Sequence, residues 1–276
     1  MSNEVSDNGY SQLDQIFEVL DRKEHIPAVD SLLQILGGES EECNIRRYAI
    51  GIDANVALKL PNISAAEDVI DYLKVQHTGP LVLPGQVIQE FWNNQLSAIN
   101  TIPKDIGNKF KEVRKAANRI REEEIHGGEN VAKLSDQMEA ALQDFEELAG
   151  VVYQSDAKRR MAAFFDLIKY RGVVPFCPRS RFSSLAEQRK RTKTPPGFMD
   201  SGDGDFFVWV DFLYGIFLAR SSSVPFERIV FVSDDSKKDW SLRGHPHPIL
   251  AAEIKALFGV EFEIWNLKKF VGKIQE

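Results

Sequence analysis

Asp53, Glu90, Asp205 and Asp234 each stand beside a short apolar run. Asp53 follows Tyr48-Ala-Ile-Gly-Ile52, and Asp234 follows Arg228-Ile-Val-Phe-Val-Ser233, a stretch with the β-branched and aromatic composition of a strand. Glu90 lies within about two turns of a helix start at Pro84-Gly85, and Asp205 directly precedes the apolar run from Phe206. If these segments build one parallel sheet with its helices, the four carboxylates gather beyond the carboxyl ends of the strands, where ligands collect in such folds. Unpartnered carboxylates packed together raise one another's pKa, so a cluster kept ionised needs a cation. Oxygen-only donors select hard ions, Mg2+ or Mn2+. Each acid also has a plainer use: Asp53, Asp205 and Asp234 can cap helices, and Glu90 can sit in solvent. Four acids at equivalent ends of one sheet favour the metal site over four separate caps. Asp203 competes with Asp205 for the ligand position, and Asp235 with Asp234.

The elements that would position these residues follow from periodicity. Residues 11 to 37 carry apolar positions at helical spacing and read as one or two helices outside the main core. Tyr48 to Ile52 and Leu81 to Leu83 read as strands, with a crossover helix between them announced by the capping box Ser64-Ala-Ala-Glu67. A helix with Val87, Ile88, Phe91 and Leu96 carries Glu90. Pro103 to about Tyr170 is charged and helical, broken at Gly127-Gly128, and reads as an insertion or cap. Val173 to Pro196, punctuated by four prolines, reads as a basic, loop-rich arm. An apolar helix at Phe206 to Leu218, the strand ending at Ser233, a helix near Ile249 to Phe258, a strand near Val260 to Trp265 and a terminal helix complete the chain. Strands alternating with helices define an α/β fold with a parallel sheet covered on both faces. The expected division is an acidic helical extension, 1–45, and a main domain, 46–276, with a helical and basic insertion at about 103–196.

The net charge of -7 is unevenly spread. Residues 1–45 hold 10 acidic and 2 basic side chains, so the rest of the chain is close to neutral. Residues 157–194 hold 11 Lys or Arg against two acids, a local excess able to attract a polyanion whatever the total. Hydrophobic residues make up 43% of the 276, enough for a packed core. The longest mostly apolar stretch, Phe206 to Ala219, is 14 residues and contains Asp211, short of the roughly 20 needed to span a bilayer. Two cysteines and an N-terminus without a signal region fit a reducing cytoplasm.

Gly51-Ile-Asp-Ala-Asn-Val56, Leu83-Pro-Gly-Gln-Val-Ile-Gln-Glu90, Pro195-Pro-Gly-Phe-Met-Asp200 with Gly204-Asp-Phe-Phe-Val-Trp209, and Phe231-Val-Ser-Asp-Asp-Ser-Lys-Lys-Asp-Trp240 resemble, in order, the motifs of bacterial PIN-like nuclease domains. The resemblance spans about residues 46 to 270. It implies a PIN-like sheet flanked by helices and a Mg2+- or Mn2+-dependent endonuclease, most often acting on RNA. Asp53, Glu90, Asp205 and Asp234 match its acidic positions, with Asp235 a further ligand. Asp200 matches a second-shell or substrate-side acid, and Asn55 either holds Asp53 or caps its own helix. Arg189, Lys190 and Arg191 in the basic arm, with Lys237 and Lys238, are the expected phosphate contacts. Self-association and a regulatory protein partner on residues 1–45 stay open, as do toxin, defence and processing roles.

A haloacid dehalogenase-type phosphatase shares the strand-end Asp and the later Asp-Asp pair. It needs a second carboxylate two residues after its nucleophile, where this chain has Asn55. A non-catalytic nucleic-acid-binding module is the other alternative. No phosphate-cradling glycine loop and no Gly-x-Ser-x-Gly elbow occurs. His245 and His247, each followed by proline, read as structural, and Trp92, Trp209, Trp240 and Trp265 as core.

Overall fold

Tyr48–Ile52, five residues without a charge, form the fully buried strand β1 at the centre of the protein. The computed structural model describes residues 4–37, 44–98, 154–222 and 224–276, together with scattered helical positions between 109 and 141. Around β1 lies a five-stranded, all-parallel sheet completed by β2 (Leu81–Val82), β3 (Gly172–Val173), β4 (Arg228–Val232) and, after the short hairpin β5 (Ser241–Leu242) and β6 (His245–Pro246), β7 (Glu261–Trp265). The order is β3-β2-β1-β4-β7, so successive connections run in opposite directions from β1. The sheet therefore reverses between β1 and β4, and such switch points open a crevice at the carboxyl ends of the two strands. Ile52 pairs with Val232 in register, so the residues that follow each strand emerge side by side.

The helices α1 (Glu4–Leu20), α2 (Ala28–Gly37), α3 (Ala54–Lys59), α4 (Ala66–Asp71), α5 (Gly85–Ala98), α6 (Gln154–Arg171), α7 (Arg179–Arg191), α8 (Gly204–Ser221), α9 (Pro248–Phe258) and α10 (Leu267–Gln275) are those among the described residues. The apolar helix α8 crosses the sheet with Phe206, Val208, Trp209, Phe212, Leu213 and Ile216 buried. Its fit is tight enough to require glycine at residue 51, where a Cβ would come within 2.3 Å of the Phe212 ring. Residues 1–93 with 163–276 form one compact unit and 94–162 another. Gly127-Gly128 lies outside the described residues.

Four expectations need correction. The first helix is not outside the core: Leu13, Ile16, Val19 and Leu20 are buried where α1 packs on α8 and α9. The basic arm is not a loop; Pro178 opens α7, and prolines 195 and 196 fall after its end. Ser64 caps nothing, because α4 starts two residues later with Ala65 as its N-cap and no side-chain bond. Trp92 is 71% exposed, whereas Trp209, Trp240 and Trp265 are buried as expected.

The α7 helix survives its own charge because its cations are spent internally. Arg179 makes a two-pronged contact with Asp211, buried in the middle of α8, and Arg181 pairs with Asp14 of α1. Arg189, 3% exposed, donates to Glu253 at 2.8 Å and to the carbonyl of Pro195. Glu253 of α9 also accepts from Arg22 at 2.7 Å and from the Trp209 indole at 2.8 Å. One fully buried carboxylate thus ties α1, α7, α8 and α9 together.

Arg189→Met removes the more buried of the two arginines on Glu253 and leaves it Arg22 and the Trp209 indole. Loss of one charge-assisted hydrogen bond in a buried place is expected to destabilise the protein by about 1.5–3 kcal/mol in denaturant unfolding. The equivalent change at exposed Arg191 should stay within about 0.5 kcal/mol. Equal effects at the two positions would contradict this account of Glu253.

Candidate active site

The carboxyl ends of β1 and β4 deliver Asp53 and Ser233 to the crevice. Asp53 is held on both oxygens. Oδ1 accepts from the Ala54 N–H at 2.7 Å, capping α3, while Oδ2 accepts from the Ser233 hydroxyl and the Asn55 amide, both at 2.6 Å. The capping reading of Asp53 thus holds together with its place at the site. Asn55 donates to Ser233 at 3.3 Å and accepts from the Asp234 N–H at 3.0 Å, joining the two strand ends.

Beyond Ser233, alternate residues face opposite ways. Asp235 turns into the crevice, where its Oδ1 accepts from the Lys237 N–H at 2.8 Å and its Oδ2 lies 3.0 Å from the Lys237 ammonium. Asp234 turns away to Lys59 at 2.8 Å and to the Leu267 N–H at 2.9 Å. Although burial works against it, these two partners hold the Asp234 carboxyl below its ordinary value. Of the competing pair, Asp235 faces the cluster.

Asp205, in the first turn of α8, accepts from the Trp240 indole and the Lys237 ammonium, both at 3.1 Å. Its rival Asp203 is the N-cap of the same helix and lies 3.7 Å from Lys190. Asp200 accepts from Lys237 at 2.5 Å. Glu90 of α5 is steadied by Gln86 at 3.2 Å, and it comes so close to α8 that a Cβ on Gly204 would stand 2.9 Å from its Oε1. Asp239, fully buried, accepts from the N–H groups of Gly197 and Met199 and so fixes the loop that carries Asp200.

Five carboxylates, Asp53, Glu90, Asp200, Asp205 and Asp235, therefore share one crevice with one ammonium. Burial pushes the Asp53 carboxyl up to about 6, against the pull of Ser233 and Ala54, and Glu90 and Asp235 add to the rise. Burial, with the hydrogen bond to Asp200, pushes Asp205 up to about 7. Glu90 is raised, again mainly by burial. Asp200 goes the other way, since Lys237 outweighs its partial burial. Against the cost of burial, the carboxylates around Lys237 hold its ammonium well above the ordinary value.

In kind, this oxygen-only donor set suits a hard divalent cation, and raised carboxyls are what such a cation relieves. Among the described residues, no three acidic, His or Cys side chains converge as a finished coordination set, and three of the five acids are engaged by Lys237.

Several expected phosphate contacts are occupied. Arg189 is 3% exposed and held on Glu253, which leaves it no surface to offer a phosphate. Lys190 donates to the carbonyls of Ser201 and Gly202 at 2.5 and 3.2 Å. Arg191 and Lys238 are exposed. His247 caps α9 by accepting from the Ile249 N–H, a structural use. Cys177 is buried, and burial beside Asp211 raises its thiol, which leaves it inert; Cys43 lies outside the described residues. Ser233, Trp240, Asp239 and Asp211 did not stand out in the sequence. Ser233 had one signal, its place directly after the strand.

A five-stranded parallel sheet flanked by helices, with a switch point between β1 and β4, defines an open α/β fold. The profile of the PIN-like domain family matches residues 49–251, and the chain belongs to that family. No curated protein and no solved structure matches it. No helix among the described residues is long and apolar enough to cross a membrane.

The shifts fix the pH behaviour of the metal-free protein. Asp53 and Asp205 titrate near 6 and 7 when folded and near 3.8 when unfolded, so the folded state binds more protons across that interval. These two carboxyls therefore remove stability as pH rises from about 4 to about 7, while His77, lowered by burial to about 4, adds stability over the same rise. Asp200 and Asp234, both lowered, contribute stability that is lost below their ordinary value. Between about pH 4 and about pH 7 the melting temperature in chelator should fall more steeply, or rise less, in wild type than in Asp53→Asn. Superposable pH profiles of the two proteins would contradict the arrangement.

Proposed function

We propose that the protein is a Mg2+- or Mn2+-dependent endonuclease that hydrolyses phosphodiester bonds in RNA. The observation that carries this is Asp53 locked between Ser233, Asn55 and Ala54 at the β1/β4 switch point, with Glu90 and Asp235 near enough to raise its pKa. Membership of the PIN-like family supports nuclease chemistry, and RNA is the substrate class that the motif resemblance implies.

Asp53, Glu90, Asp205 and Asp235 are the residues that would hold the divalent ion. That ion, when bound, supplies the charge that activates water and stabilises the leaving oxygen. The chain's own contribution is order. Ser233 and Asn55 fix both rim strands, Trp240 aims Asp205, the backbone of Lys237 aims Asp235, and Gln86 steadies Glu90. Groups aimed in advance spare the reaction the cost of arranging them. Asp200, more open to solvent, stands on the substrate side. Exposed Arg191, Lys193 and Lys238 are the cations left for the phosphate backbone, which they would hold without reading sequence.

The test incubates purified protein with labelled RNA, single-stranded DNA and duplex DNA in Mg2+, Mn2+ or EDTA. Cleavage of RNA that EDTA stops is expected, with a loss of more than about 100-fold in Asp53→Asn and Asp235→Asn. Asp234→Asn should keep most activity while lowering the melting temperature, because it breaks the Lys59 and Leu267 contacts and not the crevice. Full activity in both Asp53→Asn and Asp235→Asn would overturn the proposal.

A further inference from the structure

Lys237 puts its ammonium among three carboxylates from three parts of the chain. Asp200 Oδ2, Asp235 Oδ2 and Asp205 Oδ2 lie at 2.5, 3.0 and 3.1 Å, and they belong to the loop before α8, the segment after β4 and the first turn of α8. An ammonium has three N–H donors and no acceptor, so this arrangement uses all of them. Two of the three oxygens are on Asp205 and Asp235, which the proposed function assigns to the divalent ion. A hard cation takes such oxygens directly, at shorter range than an ammonium does. Both cations compete for the same atoms.

We propose that Lys237 is a displaceable counterion, which occupies the carboxylate cluster in the metal-free protein and gives up Asp205 and Asp235 when a divalent cation binds. The inference rests on the nuclease reading for the identity of the ligands. Two observations separate it from the view that Lys237 builds the site. Asp235 keeps its aim without the Lys237 side chain, because Oδ1 is held by the Lys237 backbone N–H. Asp205 keeps its aim through the Trp240 indole, which comes from a ring packed in the core against Phe231 and Trp209. The ligand oxygens thus stay in place when the ammonium departs.

The ammonium also has somewhere to go. Its side chain is 32% exposed, and Asp200, outside the assigned ligand set, is the most open of the three acids at 37%. Lys237 can stay with Asp200 at the mouth of the crevice, where a substrate phosphate is the next anion to arrive. One ammonium thus serves both states: it guards the acids without metal, and it turns to the substrate once the metal has taken them.

The experiment titrates Mn2+ alone into metal-free, full-length wild-type protein, Lys237→Met and Lys237→Gln, following free Mn2+ by electron paramagnetic resonance. Glutamine retains donors for the carboxylates and secures a folded neutral variant. Both substitutions remove a competing positive charge a few ångströms from the ligands, so both should bind Mn2+ tighter by at least about tenfold. The gain in melting temperature on adding Mn2+ should be larger than in wild type. At saturating Mn2+ their kcat on RNA should fall, because no ammonium meets the phosphate. Affinity equal to or weaker than wild type in both variants would overturn the inference. Wild type that binds no Mn2+ and cleaves nothing would defeat the nuclease reading itself, so the two failures are distinguishable.

Discussion

Carboxylates crowded at one sheet edge repel one another, and the rest of this structure is arranged around making that crowding tolerable. The parallel sheet brings Asp53 and Asp235 together by register, and α5 and α8 add Glu90 and Asp205. Repulsion is then met in three ways visible in the contacts. Hydrogen-bond donors from Ser233, Asn55, Trp240 and backbone amides take up oxygen lone pairs, one ammonium neutralises one charge, and the remaining excess is absorbed by raised proton affinity at Asp53 and Asp205. A site with four or five acids and one cation is strained toward taking up positive charge, which is the property a metal-dependent hydrolase requires.

The same economy of charge explains why the basic stretch before the site is a poor guide to substrate contacts. A run of Lys and Arg reads as a polyanion-binding surface, yet Arg179 and Arg189 turn to the buried carboxylates of Asp211 and Glu253, Arg181 pairs at the surface with Asp14, and Arg171 donates to the carbonyls of Leu73, Lys74 and His77. Arginine suits these places because its planar fork satisfies two acceptors at once and stays charged when buried. The N-terminal segment also enters this pattern: Asp14 meets Arg181 at the surface, and Arg22 joins Arg189 on Glu253. A helix that buries Leu13, Ile16, Val19 and Leu20 belongs to the core unit.

What could be read from sequence was whatever depends on local pattern. The apolar strands, the apolar helix α8 and the acids at strand ends were legible because burial and chain direction impose them one residue at a time. The parallel α/β class followed from alternation of strand and helix, while the strand order did not. Illegible were the features that depend on a partner far along the chain: that Arg189 would find Glu253, and that the apolar face of α1 would close on α8 and α9. Trp92 is different, because Asn93-Asn94-Gln95 directly after it are polar while Trp209 stands between Val208 and Val210, a local signal that grouping all four tryptophans as core passed over. The capping box at Ser64 failed for a related reason. A helix start is a contest among nearby residues, and Ala65 won without a side-chain bond.

The segment from Asp234 to Trp240 shows how one short stretch can do several jobs. Asp235, Lys237 and Asp239 face inward, while Ser236 and Lys238 face solvent and Asp234 reaches sideways to Lys59 and Leu267. Extended chain imposes a period of two from Val232 to Lys237, so the choice between Asp234 and Asp235 follows from where β4 ends; at Lys237 the chain turns, its carbonyl accepting from the Trp240 and Ser241 N–H groups, and Asp239 and Trp240 are both buried. Strand β4 ends at Val232, and Ser233 fills the inward position that Asp53 needs. The inward residues then take successive tasks at increasing distance from the strand: Asp235 supplies a carboxylate, Lys237 balances it, Asp239 fixes the loop bearing Asp200, and Trp240 aims Asp205. Shifting the segment by one residue would place Asp234, Ser236 and Lys238 inward instead, leaving Asp200 and Asp205 without their counterion. The spacing Asp-x-Lys-x-Asp-Trp is therefore fixed by the geometry of the crevice, and no single residue of it can be moved independently of the others.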